Sequence, residues 1–445
     1  MKNMAGLSRR EFLKSASIIT ASTCLPRFAS AAESKRKNIV LIMADDIGFE
    51  CFGCYGSEMY DTPNIDRLAA NGIRFTHCYS QPLCTPSRVK LMTGKSNIRN
   101  YVGFSLLDGS QETFAHLLKS AGYKTCVAGK WQLYGAEHYS EETRGKGTLP
   151  EDAGFDTHCL WQVDKLGGRY WGPLLHIDGA NRQFPKDVYG PDVCCDHICD
   201  FIKNAGEKPF FAYYPMILVH NPFPVTPDSE NPESSDKQKN FADMVTYMDK
   251  LVGRIINTVK DEGLEKDTVV MFVGDNGTNR SIESKLGSQT IRGGKGKTTD
   301  YGTRVPFISS TLGETGSQVC DDLVDFSDFF PTVAGLAGAS MPSDVKIDGC
   351  SFLPRLTGGK ANPREAIFMY YYPWPIKGWK PETRFARDKR FKLYGDGRLY
   401  DVEKDVLEKH PVLESSDTEE TRAVRLKLQK VMDSMPDEPE MIRKK

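Results

Sequence analysis

The run Cys84-Thr85-Pro86-Ser87-Arg88 sets a thiol ahead of a helix start and an arginine one turn further on. Thr85 can cap a helix, Pro86 suits its first position, and Gly94 supplies a stop. Cys84 is expected just outside that helix N-terminus, where unsatisfied N–H groups and the macrodipole favour anions. Arg88, four residues on, can fold back over the same spot and fork onto an oxyanion. Two accounts fit these five residues: a nucleophile that handles an anion, and a buried cysteine before an ordinary capped helix.

Two apolar runs end in paired oxygen-bearing side chains. Asn38–Ala44 (NIVLIMA) leads into Asp45-Asp46, and Thr268–Val273 (TVVMFV) leads through Gly274 into Asp275-Asn276. Both runs read as buried strands of a mainly parallel sheet, and ligands of such sheets gather beyond the carboxyl ends of the strands. Three carboxylates brought together there repel one another unless a cation joins them. No histidine or thiol is adjacent, so a hard divalent ion is implied, Ca2+ for the mixed carboxylate and amide set and Mg2+ as second choice. Either pair alone reads more simply as a solvated turn; two pairs after two buried strands shift the balance.

Three more groups follow apolar strands or glycine-rich turns. Lys130 lies in Gly129-Lys130-Trp131, His220 in His220-Asn221-Pro222 at the end of an expected strand Phe210–Val219, and Lys295 in the basic loop Arg292-Gly293-Gly294-Lys295-Gly296. Singly these read as a surface lysine, a satisfied core histidine and a weak anion-loop signal.

From about Asn38 to about Asp405 the segments together resemble the type I sulfatases of the alkaline-phosphatase-like superfamily. Cys84-x-Pro86-x-Arg88 resembles the signature in which the cysteine is oxidised to formylglycine. Asp45-Asp46 and Asp275-Asn276-Gly277 resemble the metal ligands, with an oxygen of the modified Cys84 completing the shell. The resemblance implies Arg88, Lys130 and Lys295 as cations around the sulfate, with Lys130 supporting the attacking hydroxyl. Lys295 then contacts the bridging oxygen, and His220 binds sulfate and protonates the leaving group. It further implies hydrolysis of a sulfate monoester of a carbohydrate or aryl alcohol, and a formylglycine-generating enzyme as a partner in maturation.

The chain departs from the family pattern at Gln132, where histidine is common; glutamine can hydrogen-bond the modified residue but is no base at neutral pH. His138 is a candidate substitute. Asp300 and Tyr301 stand where glutamate and glycine are common. A phosphonate or phosphate monoester hydrolase of the same superfamily, whose site would look similar, is the nearest rival, and Gln132 leaves room for a non-catalytic binder of sulfated glycans. Trp161, Trp171, Trp374 and Trp379 are candidates to stack on sugar or aryl rings, with core or rim packing as the alternative.

The elements that must carry these residues alternate. Helices are expected over 63–71, 86–93, 112–120, 192–204 and 242–261, and strands over 38–44, 73–79, 123–128, 210–219 and 268–273. That alternation predicts a layered α/β domain with a central, mainly parallel mixed sheet flanked by helices. The composition changes near Ser340, and short strands at 368–372, 390–394 and 398–401 with a helix over 419–435 predict a smaller C-terminal α+β subdomain. The expected boundaries are 1–31, 36–340 and 341–445, with 227–239 as a polar surface loop.

Ser8-Arg9-Arg10-Glu11-Phe12-Leu13-Lys14, the apolar run Ser15–Leu25 and Ala29-Ser30-Ala31 predict a twin-arginine signal peptide over residues 1–31. The expected partner is the twin-arginine translocase and the destination the periplasm or the outside; no segment is long enough to span a bilayer. Lysine and arginine number 58 against 59 acids, so no overall field steers the chain to nucleic acid or a membrane surface. Of 12 cysteines, Cys51 and Cys54 have zinc or redox spacing without a second such pair, so structural zinc is not expected. Cys194 and Cys195 read as small core hydrophobes on a helix, and disulfides stay open.

Overall fold

A computed structural model describes residues 36–343, 345–375 and 382–441. The expected signal peptide, Cys24 and Trp379 lie outside the described residues. The described residues belong to one compact unit.

Sixteen strands are formed among the described residues. The first eight are β1 (Asn38–Ala44), β2 (Ile73–Tyr79), β3 (Lys124–Lys130), β4 (Thr157–Trp161), β5 (Leu174–Ile177), β6 (Ala180–Gln183), β7 (Phe210–Pro215) and β8 (Thr268–Gly274). They are followed by β9 (Glu283–Leu286), β10 (Gln289–Arg292), β11 (Arg304–Thr311) and β12 (Gln318–Asp325), then β13 (Ile367–Tyr371), β14 (Thr383–Arg387), β15 (Phe391–Tyr394) and β16 (Leu399–Asp401). Ten form one sheet in the order β12-β2-β11-β8-β1-β7-β3-β4-β5-β6. Its centre, β8-β1-β7-β3-β4, is wholly parallel, so the carboxyl ends of these strands open on one edge.

β1 is buried on both faces, which is why it reads as an unbroken apolar run. Ile39, Leu41 and Met43 meet the helices Cys84–Thr93, Phe114–Ser120 and Phe329–Ala337. Val40, Ile42 and Ala44 face Pro63–Ala70, Gly190–Lys203 and Lys237–Asp261. The result is the expected layered α/β sandwich. β13–β16 form a separate antiparallel sheet whose Phe368, Tyr370, Phe391 and Leu393 pack on Leu428 and Met432 of the helix Glu419–Asp433.

Several expectations need correction. β7 stops at Pro215, not Val219; Met216 N instead donates to Met43 O near the end of β1 and Val219 N to Asp45 O just beyond it. His220 therefore sits on a loop rather than at a strand end. Cys84 is the first residue inside its helix and Leu83 is the cap, without a side-chain bond. Thr85 does not cap that helix; its hydroxyl accepts from Ser105 N at 3.2 Å. The long helix begins at Lys237, capped by Asp236, so the polar loop ends earlier than expected. All eleven described cysteines are free, and Cys194 and Cys195 lie in the core as read.

Candidate active site

The carboxyl ends of four adjacent strands bring most of the singled-out residues together. Asp45 and Asp46 follow β1, Asp275 and Asn276 follow β8, Lys130 ends β3, and the loop after β7 carries His220. Asp46 has a left-handed backbone (φ 61°), which aspartate tolerates, and its N–H donates to Asp275 Oδ1 at 2.9 Å. That bond joins the two acidic turns. Asn276 Nδ2 closes the ring by donating to Asp46 Oδ1 at 3.0 Å.

Cations surround the acids. Lys130 Nζ lies 2.7 Å from Asp45 Oδ2, and Lys295 Nζ 2.5 Å from Asp46 Oδ2. Arg88 donates to the Lys130 carbonyl at 2.7 Å and to Asp275 Oδ2 at 3.4 Å. Lys295 Nζ also approaches His220 Nε2 at 3.0 Å. Cys84, 2% exposed, donates to Gln132 Oε1 at 3.0 Å. Asp45, Cys84 and Asp275 can offer ligand atoms within 4.8 Å of one another, and so can Asp45, Asp46 and His220.

The electrostatics divide the acids. Burial pushes Asp45 upward, but Lys130, His220 and Arg88 outweigh it and hold its carboxyl well below the usual range. Burial likewise opposes Asp46, which His220 and Lys295 keep low. Asp275 goes the other way: burial and then the Asp45 charge push it well above the ordinary carboxylate value. Burial raises the Cys84 thiol and lowers His220 to about 4. Lys295 keeps its proton, since Asp46 more than offsets the cost of burying it.

Within the expected ligand set, Asp45 Oδ1 and Asn276 Oδ1 are buried without a hydrogen-bond partner. Buried polar atoms left unpaired are costly, and here both belong to the expected ligand set. The donors are all hard oxygens, as a Ca2+ or Mg2+ ion requires, and a cation would relieve the repulsion that raises Asp275. The residues present fit the ion.

Backbone packing explains the glycines that were legible as a motif. A Cβ on Gly277 would stand 1.9 Å from Tyr301 O, and one on Gly294 would stand 2.3 Å from Tyr301 C. The Asp275 turn and the Lys295 loop can touch only through bare backbone, and Lys295 N donates to Thr278 O at 2.9 Å. The small C-terminal sheet grips the same loop: Arg387 pairs with Asp300, and Tyr394 Oη lies 2.9 Å from Thr298 Oγ1. Asp300 thus acts as an anchor for the loop.

Other residues fall differently. His138 is exposed and packs on the Tyr139 ring at 4.1 Å; no hydrogen bond joins it to Cys84 or Gln132 among the described residues. Trp161 is buried with Arg169 across its face at 4.2 Å, which removes it as a stacking platform. Trp171 is 36% exposed and Trp374 lies against Phe104. Sequence reasoning missed Arg169, whose Nη1 is 3.0 Å from His220 Nδ1. It also missed Thr278, which accepts from Gly48 N at 2.9 Å and donates to the buried Glu50 at 2.5 Å, tying the two acidic turns together from behind. Thr278 follows Asp275-Asn276-Gly277 and was findable from its place in that motif; Arg169 sits in an irregular loop with no periodic signal.

An alkaline-phosphatase-like α/β hydrolase is the class that this sheet and its edge define. The chain belongs to the sulfatase family: the profile described as Sulfatase matches residues 37–339, and that described as N-sulphoglucosamine sulphohydrolase, C-terminal, matches residues 298–437. Arylsulfatase A of Homo sapiens is 32% identical over 405 residues, spanning 80% of this chain and 75% of its own. Steryl-sulfatase of Rattus norvegicus is 30% identical, spanning 80% and 76%. A protein solved with its substrate D-glucosamine-2-N,6-O-disulfate superposes with a TM-score of 0.72 at 22% identity, over 91% of this chain and 99% of its own. The phosphonate monoester hydrolase of Agrobacterium radiobacter superposes with a TM-score of 0.66 at 21% identity, over 90% and 95%. These two share the fold. The chain is a type I sulfatase and, as an enzyme, a sulfuric ester hydrolase.

Proposed function

We propose that the protein is an exported sulfatase that hydrolyses a sulfate monoester of a carbohydrate or aryl alcohol, with Cys84 matured to formylglycine and Ca2+ held by Asp45, Asp46, Asp275 and Asn276. The observation that carries this reading is the pair of orphaned oxygens, Asp45 Oδ1 and Asn276 Oδ1, in a cluster that also holds Cys84 beside Lys130, Arg88 and Lys295. When bound, the ion supplies Lewis acidity toward the sulfate and the nucleophile. A formylglycine hydrate offers two hydroxyls on one carbon, one to attack sulfur and one to expel sulfate afterwards.

The chain's own groups do the remaining work. Arg88 and Lys130, buried and fixed by Asp275 and Asp45, present positive charge where sulfate charge shifts. Lys295 is the group that carries a proton, and His220 Nε2 accepts from it at 3.0 Å. Proton delivery to the leaving oxygen therefore runs through this pair. Gln132 orients the residue at 84 but takes no proton.

Residues 36–340 are the catalytic part in this reading and 341–445 the subdomain that braces its Lys295 loop; residues 1–31 direct twin-arginine export to the periplasm or beyond. No helix among the described residues is long and apolar enough to cross a membrane. Mass analysis of the Cys84 peptide from the native host tests the proposal: an aldehyde is expected, and an unmodified thiol in active protein overturns it. Paired assays with sulfate, phosphate and phosphonate esters test the substrate class, with sulfate turned over fastest.

A further inference from the structure

His220 has its hydrogen atom assigned by its neighbours. Its Nδ1 is 2.6 Å from the Asn221 carbonyl, which can only accept, and its Nε2 is 3.0 Å from the Lys295 ammonium, which can only donate. The neutral ring therefore carries its proton on Nδ1. Arg169 Nη1 stands 3.0 Å from that same Nδ1, so a donor faces a nitrogen with no free lone pair. The contact gives Arg169 no acceptor.

Arg169 is nonetheless held in place. Its guanidinium lies 4.2 Å over the buried Trp161 ring, whose indole N–H donates to Gly167 O at 2.8 Å. The adjacent Tyr170 is buried, with its hydroxyl on the His220 carbonyl and its own carbonyl accepting from Gly190 N at 2.6 Å. A second arginine flanks the other side: Arg280 Nε donates to the Lys295 carbonyl at 2.9 Å, and the residue is exposed. Among the described residues neither guanidinium has an ion-pair partner, because the acids of the site are taken by Lys130, Lys295 and Arg88. Arg169, His220, Lys295 and Arg280 thus form an arc with an unanswered positive charge at each end.

We infer that Arg169 and Arg280 form an anion subsite, and that the substrate is a sulfated saccharide bearing a second anionic group, a uronate carboxylate or another sulfate, beside the sulfate that is cleaved. A planar guanidinium matches either oxyanion with two parallel N–H donors. A neutral aryl or alkyl sulfate leaves the arc unfilled. The inference rests on the proposed sulfatase reading and specifies its substrate.

Calorimetric titration of the full-length Cys84→Ala protein, which cannot turn substrate over, tests it with three probes. These are the chondroitin 6-sulfate disaccharide, the same disaccharide with its uronate reduced to the alcohol, and the carboxyl-reduced disaccharide bearing 4,6-disulfate. Binding of at least one of the two dianionic probes is expected to be at least tenfold tighter than that of the reduced monosulfate. The tighter of them identifies the second group as carboxylate or sulfate. Adding Arg169→Gln and Arg280→Gln is expected to shrink the gap below threefold. Equal affinity for all three probes overturns the inference, as does a gap that survives both substitutions, and the first comparison needs no arginine variant to fold. Sulfate release by the mature enzyme from 4-nitrophenyl sulfate and from the three disaccharides is read separately: its absence from all four sinks the sulfatase proposal and leaves the binding comparison standing.

Discussion

Replacing Gln132 by histidine asks which step limits turnover. Gln132 Oε1 already reaches the residue-84 side chain at 3.0 Å, so its position touches the reacting atoms. Its backbone is left-handed (φ 53°), a region in which histidine is among the better tolerated residues, so the exchange keeps the loop. An imidazole there can take the proton that an amide cannot, and a positioned base is worth about 10²- to 10⁴-fold. Burial and the neighbouring Arg88 and Lys130 hold such a ring below its ordinary value of about 6.5, which weakens it as a base. The lower end of the range follows, about a hundredfold in kcat or about 2.7 kcal/mol off the barrier. The assay is stopped-flow release of nitrophenolate from 4-nitrophenyl sulfate, with the formylglycine fraction fixed by mass. The native enzyme is expected to show a burst and then a slow steady state. Gln132→His is expected to shrink the burst, speed the steady state and slow again in acid as the ring protonates. No burst in the native enzyme, or an unchanged kcat at equal formylglycine content, refutes the reasoning.

Exhaustive chelation is expected to abolish activity and lower the melting temperature, and Ca2+ at a hundred times its Kd to restore about 2.7 kcal/mol; a melting temperature indifferent to chelator and ion removes the metal from the account. Asp325→Ala strips the partner from the buried Lys90, 2.6 Å away, and is expected to cost about 3–5 kcal/mol in urea unfolding; a loss under about 1 kcal/mol contradicts it. Gly129→Ala combines a positive φ of 118° with a Cβ 2.0 Å from Pro215 O, so a loss of about 3 kcal/mol or more and a displaced Lys130 are expected. Burial lowers His158 to about 4 in the folded protein, against about 6.5 unfolded. The unfolded chain then binds more protons, so this contribution is whole above about pH 6.5 and drains away toward pH 4. His158→Gln is expected to flatten the stability profile in that window, and an identical slope counts against it.

The sequence disclosed most where one residue type had one physical use. NIVLIMA before Asp45 and TVVMFV ahead of Asp275 could only be strands buried on both faces, and they pair in parallel with Asn38 opposite Thr268. That register carries the two acidic turns to one edge. The exposed strand β6 and the hairpin β9–β10 lacked an apolar pattern and went unseen, since their stability comes from pairing rather than from periodicity. β7 was read too long because Met216–Val219 is as apolar as the strand before it; bonded beside Met43 and Asp45 at the end of β1, those residues are buried as thoroughly as in a sheet. Arg169 was invisible because its role depends on the ring above which it lies and on the tautomer of a histidine some fifty residues away.

Every residue of the helix Cys84–Thr93 is buried, and that sets a clock. In the proposed maturation, an enzyme that oxidises Cys84 would have no grip on it once the sheet had closed over it, so conversion would belong to an extended chain. β8 is among the strands that complete the enclosure, and the ribosome delivers it long after residue 84. On that proposal the interval between those two moments would be the window for maturation, and a chain folded before conversion would be sealed with an ordinary thiol at its centre.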